Sequence, residues 1–186
     1  TLVSLLPFSF FIAYGVTSIP AGILLETYRE KKVMLVAFGM ATIGSLLMVL
    51  SPNYLSALLS LFLIGSGMAM LQVVINPLLR TAGGEEKYAH YSVLAQLIFG
   101  FASFLSPMVY QNFIANPRIQ AQTFPWLSLY YLFIGISLLM MLISFLIKFP
   151  KVELGEDEKA GAWAIHVQLF QNKYVILYFI AMLCYV

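Results

Sequence analysis

Apolar runs of about twenty residues recur along the chain, and short polar stretches divide them. Five are complete: residues 2–25, 33–50, 54–79, 91–115 and 127–147. A sixth opens at Tyr174 and continues to Val186. A helix rises 1.5 Å per residue, so about twenty apolar residues cross the roughly 30 Å hydrocarbon layer of a bilayer. Pro7, Pro20, Pro77 and Pro107 stand inside these runs or at their ends. A spanning helix tolerates proline because its neighbours re-satisfy the freed carbonyls. A membrane β-barrel would show shorter segments of alternating polarity instead. The pattern predicts an all-α fold, a polytopic transmembrane helix bundle.

Polar and small residues inside the runs recur at helical spacing. Gln72 and Asn76 are four apart and share a face, on which Gly65 also falls. Gln96, Gly100, Ser103, Pro107 and Tyr110 form a second stripe, and Ser4, Phe8, Phe11, Gly15 and Ser18 a third. An amide left unpaired in hydrocarbon is costly, so these stripes face the bundle interior or a watery cavity. Interhelical glue is one reading of them. A binding cavity is the other, centred on Gln72 and Asn76. Amides suit an uncharged ligand rich in hydroxyls, because each both donates and accepts. Gly65-Ser66-Gly67 reads as a point of close helix packing.

Composition agrees with the periodicity. The 186 residues are 61% hydrophobic and only 10% charged, with a mean hydropathy of +0.91. A soluble domain is nearer half apolar and a quarter charged. Charge then orients the helices. The first, third and fifth connections carry Arg29, Lys31, Lys32, Arg80, Lys87, Lys148, Lys151, Lys159 and Lys173, whereas the even ones carry only Arg118. The positive-inside rule puts the odd connections in the cytoplasm, so the first helix runs inward. All eight acids lie in or beside the same connections, and none is expected deep within a helix. A lone Cys184 excludes a disulfide framework, and His90 and His166 fall in polar connections. With no phosphate-binding glycine loop and no buried titratable pair, an enzyme, a metal site and a nucleic-acid partner are all disfavoured.

Three segments are expected: a bundle over 1–149, a charged cytoplasmic loop over 150–173, and the start of a second half over 174–186. Residues 163–170 form an amphipathic piece able to lie along the bilayer surface. Opening on Thr1 and ending inside an apolar run, the chain reads as a fragment, its remaining partner being the rest of the same polypeptide.

"GILLETYREKK", residues 22–32, resembles the loop signature of the major facilitator superfamily: a glycine, three residues, an acid and a basic cluster. Gly22, Glu26, Arg29, Lys31 and Lys32 are the matching positions of this cytoplasmic gating loop. Glutamate stands for the usual aspartate, and Arg29 for the usual second glycine. "IPAGILLE", "NP" at Asn76-Pro77, the Gly-Glu-Glu loop, "LAQ" at 94–96 and the tail from Asn172 resemble the fucose:proton symporter family of sugar permeases. The resemblance implies helices two to six and the start of helix seven, which is most of the N-terminal half of a twelve-helix fold. It further implies a secondary active transporter importing a monosaccharide through the bacterial cytoplasmic membrane. Gln72, Asn76 and Gln96 are the substrate-contact candidates it implies. Where the family has a proton-linked glutamate this chain has Gln72, which cannot titrate. Its usual arginine and two asparagines are Tyr91, Val93 and Phe99 here. No cofactor is implied beyond a co-transported H+ or Na+. A transporter-like sugar sensor and a carrier of another small polar solute stay open.

Overall fold

The computed structural model describes residues 2–121, 124–149 and 173–177. The amphipathic piece, most of the charged loop and nearly all of the sixth run lie outside the described residues. A short 3-10 turn, Leu2–Ser4, leads into α1, Leu5–Leu50. Then come α2, Tyr54–Ile114, the single turn α3, Pro117–Gln120, and α4, Leu127–Leu146. No strand occurs among the described residues.

Four helical stretches are long and apolar enough to cross a membrane: Leu5–Leu50, Tyr54–Thr81, Glu86–Ile114 and Leu127–Leu146. The first, at 46 residues, is about twice what one crossing needs. It breaks at Arg29 into two arms, which restores the five crossings read from the sequence. The expected connections around 26–32 and 80–90 are nevertheless not loops. Helix continues through both, and a single residue turns the chain: Arg29 at φ 66°, ψ 164°, and Gly84 at φ 72°, ψ 162°. Glu, Lys and Arg are good helix formers, so each helix extends past its apolar run before breaking. The connection between α1 and α2 is built differently. Asn53 accepts a hydrogen bond from the Ser56 backbone N–H at 2.8 Å and so starts α2 just after Pro52.

The arms of α1 pack on the first arm of α2, and the core is Ala21, Leu25, Val33, Ala37, Met70 and Val74. Small residues set the spacing. A Cβ at Gly67 would stand 2.6 Å from the Ala37 carbonyl oxygen, one at Gly65 2.5 Å from that of Phe10, and one at Gly44 2.9 Å from that of Ser60. Hydroxyls stitch the seam: Ser9 donates to the Leu58 carbonyl at 2.8 Å, and Thr17 to Ser66 at 3.0 Å. Close packing is therefore the role of Gly65-Ser66-Gly67, as its composition suggests. The third stripe does not join this seam. Phe8 and Phe11 are exposed, and nothing lies near Gly15.

The φ and ψ of Arg29 and Gly84 belong to a region that essentially only glycine occupies without strain, at a cost of about 1–3 kcal/mol for other residues. Arg29→Gly is expected to raise the thermal unfolding temperature of the purified protein, and Gly84→Ala to lower it. Thermal melts in detergent check both signs.

Candidate functional site

Pro77 and Gly84 organise the region opposite the seam. On the first arm of α2, Met70, Val74 and Pro77 are buried, and they follow one another at helical spacing. Gln72 and Asn76 therefore point the other way. Gly84 folds the chain back, and the second arm, Glu86–Ile114, runs alongside. The ring of Tyr91 covers Gly83, where a side chain would collide with it, so tyrosine at this position braces the turn.

A cavity of about 290 Å³ lies between the two arms. Gln72, Asn76 and Gln96 all line it, together with Ser92, Phe99 and Met68. The structure thus brings together the three amides picked out from sequence. Gly65 does not line it; its contact with Phe10 draws it into the seam instead. Among the described residues, none of the three amides has a hydrogen-bonding partner, whereas Asn53, Asn112 and Asn116 all bond to nearby groups. No lining residue carries a charge. Neutral donors and acceptors on an apolar wall, with one aromatic ring, recognise an uncharged polar molecule and offer no group to move a proton.

Of the seven lining residues that sequence reasoning did not name as site candidates, Ser92 and Phe99 add a hydroxyl and a ring. Ser92 stands four before Gln96, the same spacing that paired Gln72 with Asn76, so the signal was there to follow. Phe99 registers in the sequence only as a departure from a family asparagine; in space its ring is part of the cavity wall. Val93, the other departure, is exposed on the outside.

The gating-loop candidates cluster at the break in α1. Lys31 donates to the carbonyls of Phe145 and Ile147 at 2.6 and 3.1 Å, and its ammonium lies 5.4 Å from the Phe145 ring centre. These are the last carbonyls of α4, where the helix dipole is negative, so a cation there is favoured. Lys32 lies over the Tyr28 ring at 5.6 Å. Glu26 and Arg29 are exposed, and Gly22 is half-buried. The acid beside this break is buried although it lies in a connection. Glu30 is only 5% exposed, because the break at Arg29 turns it inward. Among the described residues, no cluster of His, Cys, Asp or Glu could hold a metal ion.

The model of the Major Facilitator Superfamily matches residues 1–186. A glucose/galactose transporter of Brucella abortus biovar 1 (strain 9-941) is 28% identical over 193 residues, which is 98% of this chain and 45% of that protein. The L-fucose-proton symporter of Escherichia coli (strain K12) is 23% identical over 180 residues, 84% of this chain and 41% of that protein. The chain therefore spans about half the length of the curated relatives it matches. A crystal structure of the E. coli fucose:proton symporter superposes with a TM-score of 0.60 at 22% identity, covering 92% of this chain and 48% of that one. The likeness is one of fold.

Capping by Lys31 is expected to hold the end of α4 in place. Lys31→Met should lower stability by roughly 0.5–2 kcal/mol, read from thermal unfolding of the full-length protein.

Proposed function

Because the chain belongs to the major facilitator superfamily, we propose that it is most of the N-terminal half of a secondary active transporter that imports a monosaccharide by alternating access. It is an integral, multi-pass membrane protein of helical bundle fold. On this reading residues 1–149 form the half-bundle, 150–173 the cytoplasmic connection and 174–186 the start of the second half. The relatives are transporters rather than enzymes. A bacterial cytoplasmic membrane is the location this proposal assigns.

One observation carries the reading: three unpartnered amides, from two helices, converge on one uncharged cavity of about 290 Å³. That volume is at the small end of ligand sites, which run from about 300 Å³ upward. Its depth also suits transport. Gln72 and Gln96 each stand twelve residues from Gly84, about 18 Å along the helices. Counted from a turn at the cytoplasmic surface, that is just past the midplane of a bilayer core about 30 Å thick, where transporters of this kind bind. The second arm of α2 supports the half-bundle reading. None of its most apolar stretch is buried, and Phe101 and Phe104 are exposed on it. A second half of the protein would cover that face.

Coupling is proposed to run through a group other than Gln72, since a carboxamide does not titrate. Two sources for the driving ion, H+ and Na+, fit the class.

Uptake of radiolabelled monosaccharides by the full-length protein in proteoliposomes tests the proposal. Gln72→Ala, Asn76→Ala and Gln96→Ala are each expected to raise KM about tenfold, the effect of losing one or two polar contacts, at unchanged protein content. Unchanged uptake in all three overturns the site. An imposed proton or sodium gradient that alone drives accumulation names the ion, and equilibration without accumulation makes the protein a uniporter. Binding of sugar without flux makes it a sensor.

A further inference from the structure

Ser92 is unlike the other hydroxyls in these helices. Thr27, Thr42, Ser45, Thr81, Ser103 and Ser137 each donate back to the carbonyl four residues earlier, at 2.5–3.0 Å. That bond satisfies a hydroxyl inside a helix without help from another helix. The hydroxyl of Ser92 does not make it. Its oxygen is sealed from solvent and has no hydrogen-bond partner, yet the residue lines the cavity. A buried polar group without a partner is destabilising, so it favours any state that supplies one. Ser60 has Tyr130 beside its hydroxyl and lies in the packed seam beneath Gly44, away from the cavity.

The position of Ser92 is set by the turn. Asn76 and Ser92 each stand eight residues from Gly84, and Gln72 and Gln96 each stand twelve. Two antiparallel arms leaving one turn at 1.5 Å per residue carry these residues at matching heights. The cavity wall therefore has two polar levels, Gln72 with Gln96 and Asn76 with Ser92, about 6 Å apart. Phe99 provides an apolar surface nearby.

We propose that Ser92, with Asn76, forms the cytoplasmic-side level of the binding site and reads a hydroxyl at the far end of the substrate. This rests on the function proposed above and deepens it. The ligand it selects is a polyhydroxylated ring long enough to place hydroxyls on both levels, as a hexopyranose does across its ring. A one-step change of the Ser92 rotamer turns the oxygen from the wall to the ligand, and staggered rotamers make that change inexpensive. The hydroxyl then gains in the bound state the partner it lacks in the empty one. A sugar missing that hydroxyl leaves the orphan in place.

Uptake kinetics in the full-length protein test this with the hexose it transports best and the set of its monodeoxy analogues. Ser92→Ala is expected to raise KM for the intact hexose about five- to twentyfold with Vmax little changed. One monodeoxy analogue should bind the parent protein weakly and be unaffected by Ser92→Ala. A purely packing role predicts that all analogues change alike or that none changes, and either result overturns the proposal. If Ser92→Ala lowers Vmax through poor folding, Ser92→Cys in a Cys184→Ser background gives a second measurement. The hexose should then slow alkylation by N-ethylmaleimide, and alkylation indifferent to saturating hexose overturns the proposal too. Loss of affinity in the three amide variants but not in Ser92→Ala removes this inference and leaves the transport site standing. No effect in any of the four removes both.

Discussion

The close approach of α1 to the first arm of α2 governs everything else in this helix bundle. Helices in a bilayer gain little from hiding apolar surface, since lipid is equally apolar. Their association has to come from backbone proximity and hydrogen bonds. Glycines at 44, 65 and 67 remove the side chains that would hold the backbones apart, and Ser9 and Thr17 bridge what remains. Committing Met70, Val74 and Pro77 to the inner face leaves Gln72 and Asn76 on the face across from it. The cavity is thus a consequence of the seam.

The two breaks at Arg29 and Gly84 are the same backbone solution used twice. In each, one residue at positive φ reverses a helix that otherwise continues. A turn this short leaves few backbone groups outside helix. It also fixes register. Because each arm leaves the turn without slack, residues equidistant from Gly84 meet at equal height, and that pairing gives the cavity its levels of polar groups. Glycine takes this conformation freely at 84, while at 29 an arginine is held in it by the structure around it. Lys31 belongs to that surrounding structure, since it ties the break in α1 to the last carbonyls of α4.

The cavity chemistry is neutral. A carboxylate among these amides would introduce a charge to be neutralised with each cycle. Three carboxamides, a serine and a phenylalanine ring instead give a wall whose polarity does not change with pH. On the proposed function, energy coupling resides on residues other than these amides.

The sequence by itself determined the helical class, the number of crossings and the three amides of the cavity. Runs of twenty apolar residues can do little in a bilayer except form helices, and amides inside such runs must be turned away from lipid. Its charge asymmetry adds an expectation of which connections face the cytoplasm, since lysine and arginine are enriched on that side. Other features arise only when helices meet. The seven-residue spacing of Gly65 and Gln72 put them on one face, yet Phe10 claimed Gly65 for the seam. Ser92 shares a helix face with Gln96 in the sequence, but only the turn at Gly84 set it level with Asn76. Glu30 read as a loop acid until the break at Arg29 folded it inward. Periodicity fixes the direction a side chain takes from its own helix axis. What it meets there depends on where the neighbouring axes pass, and that is decided by contacts between residues far apart in the chain.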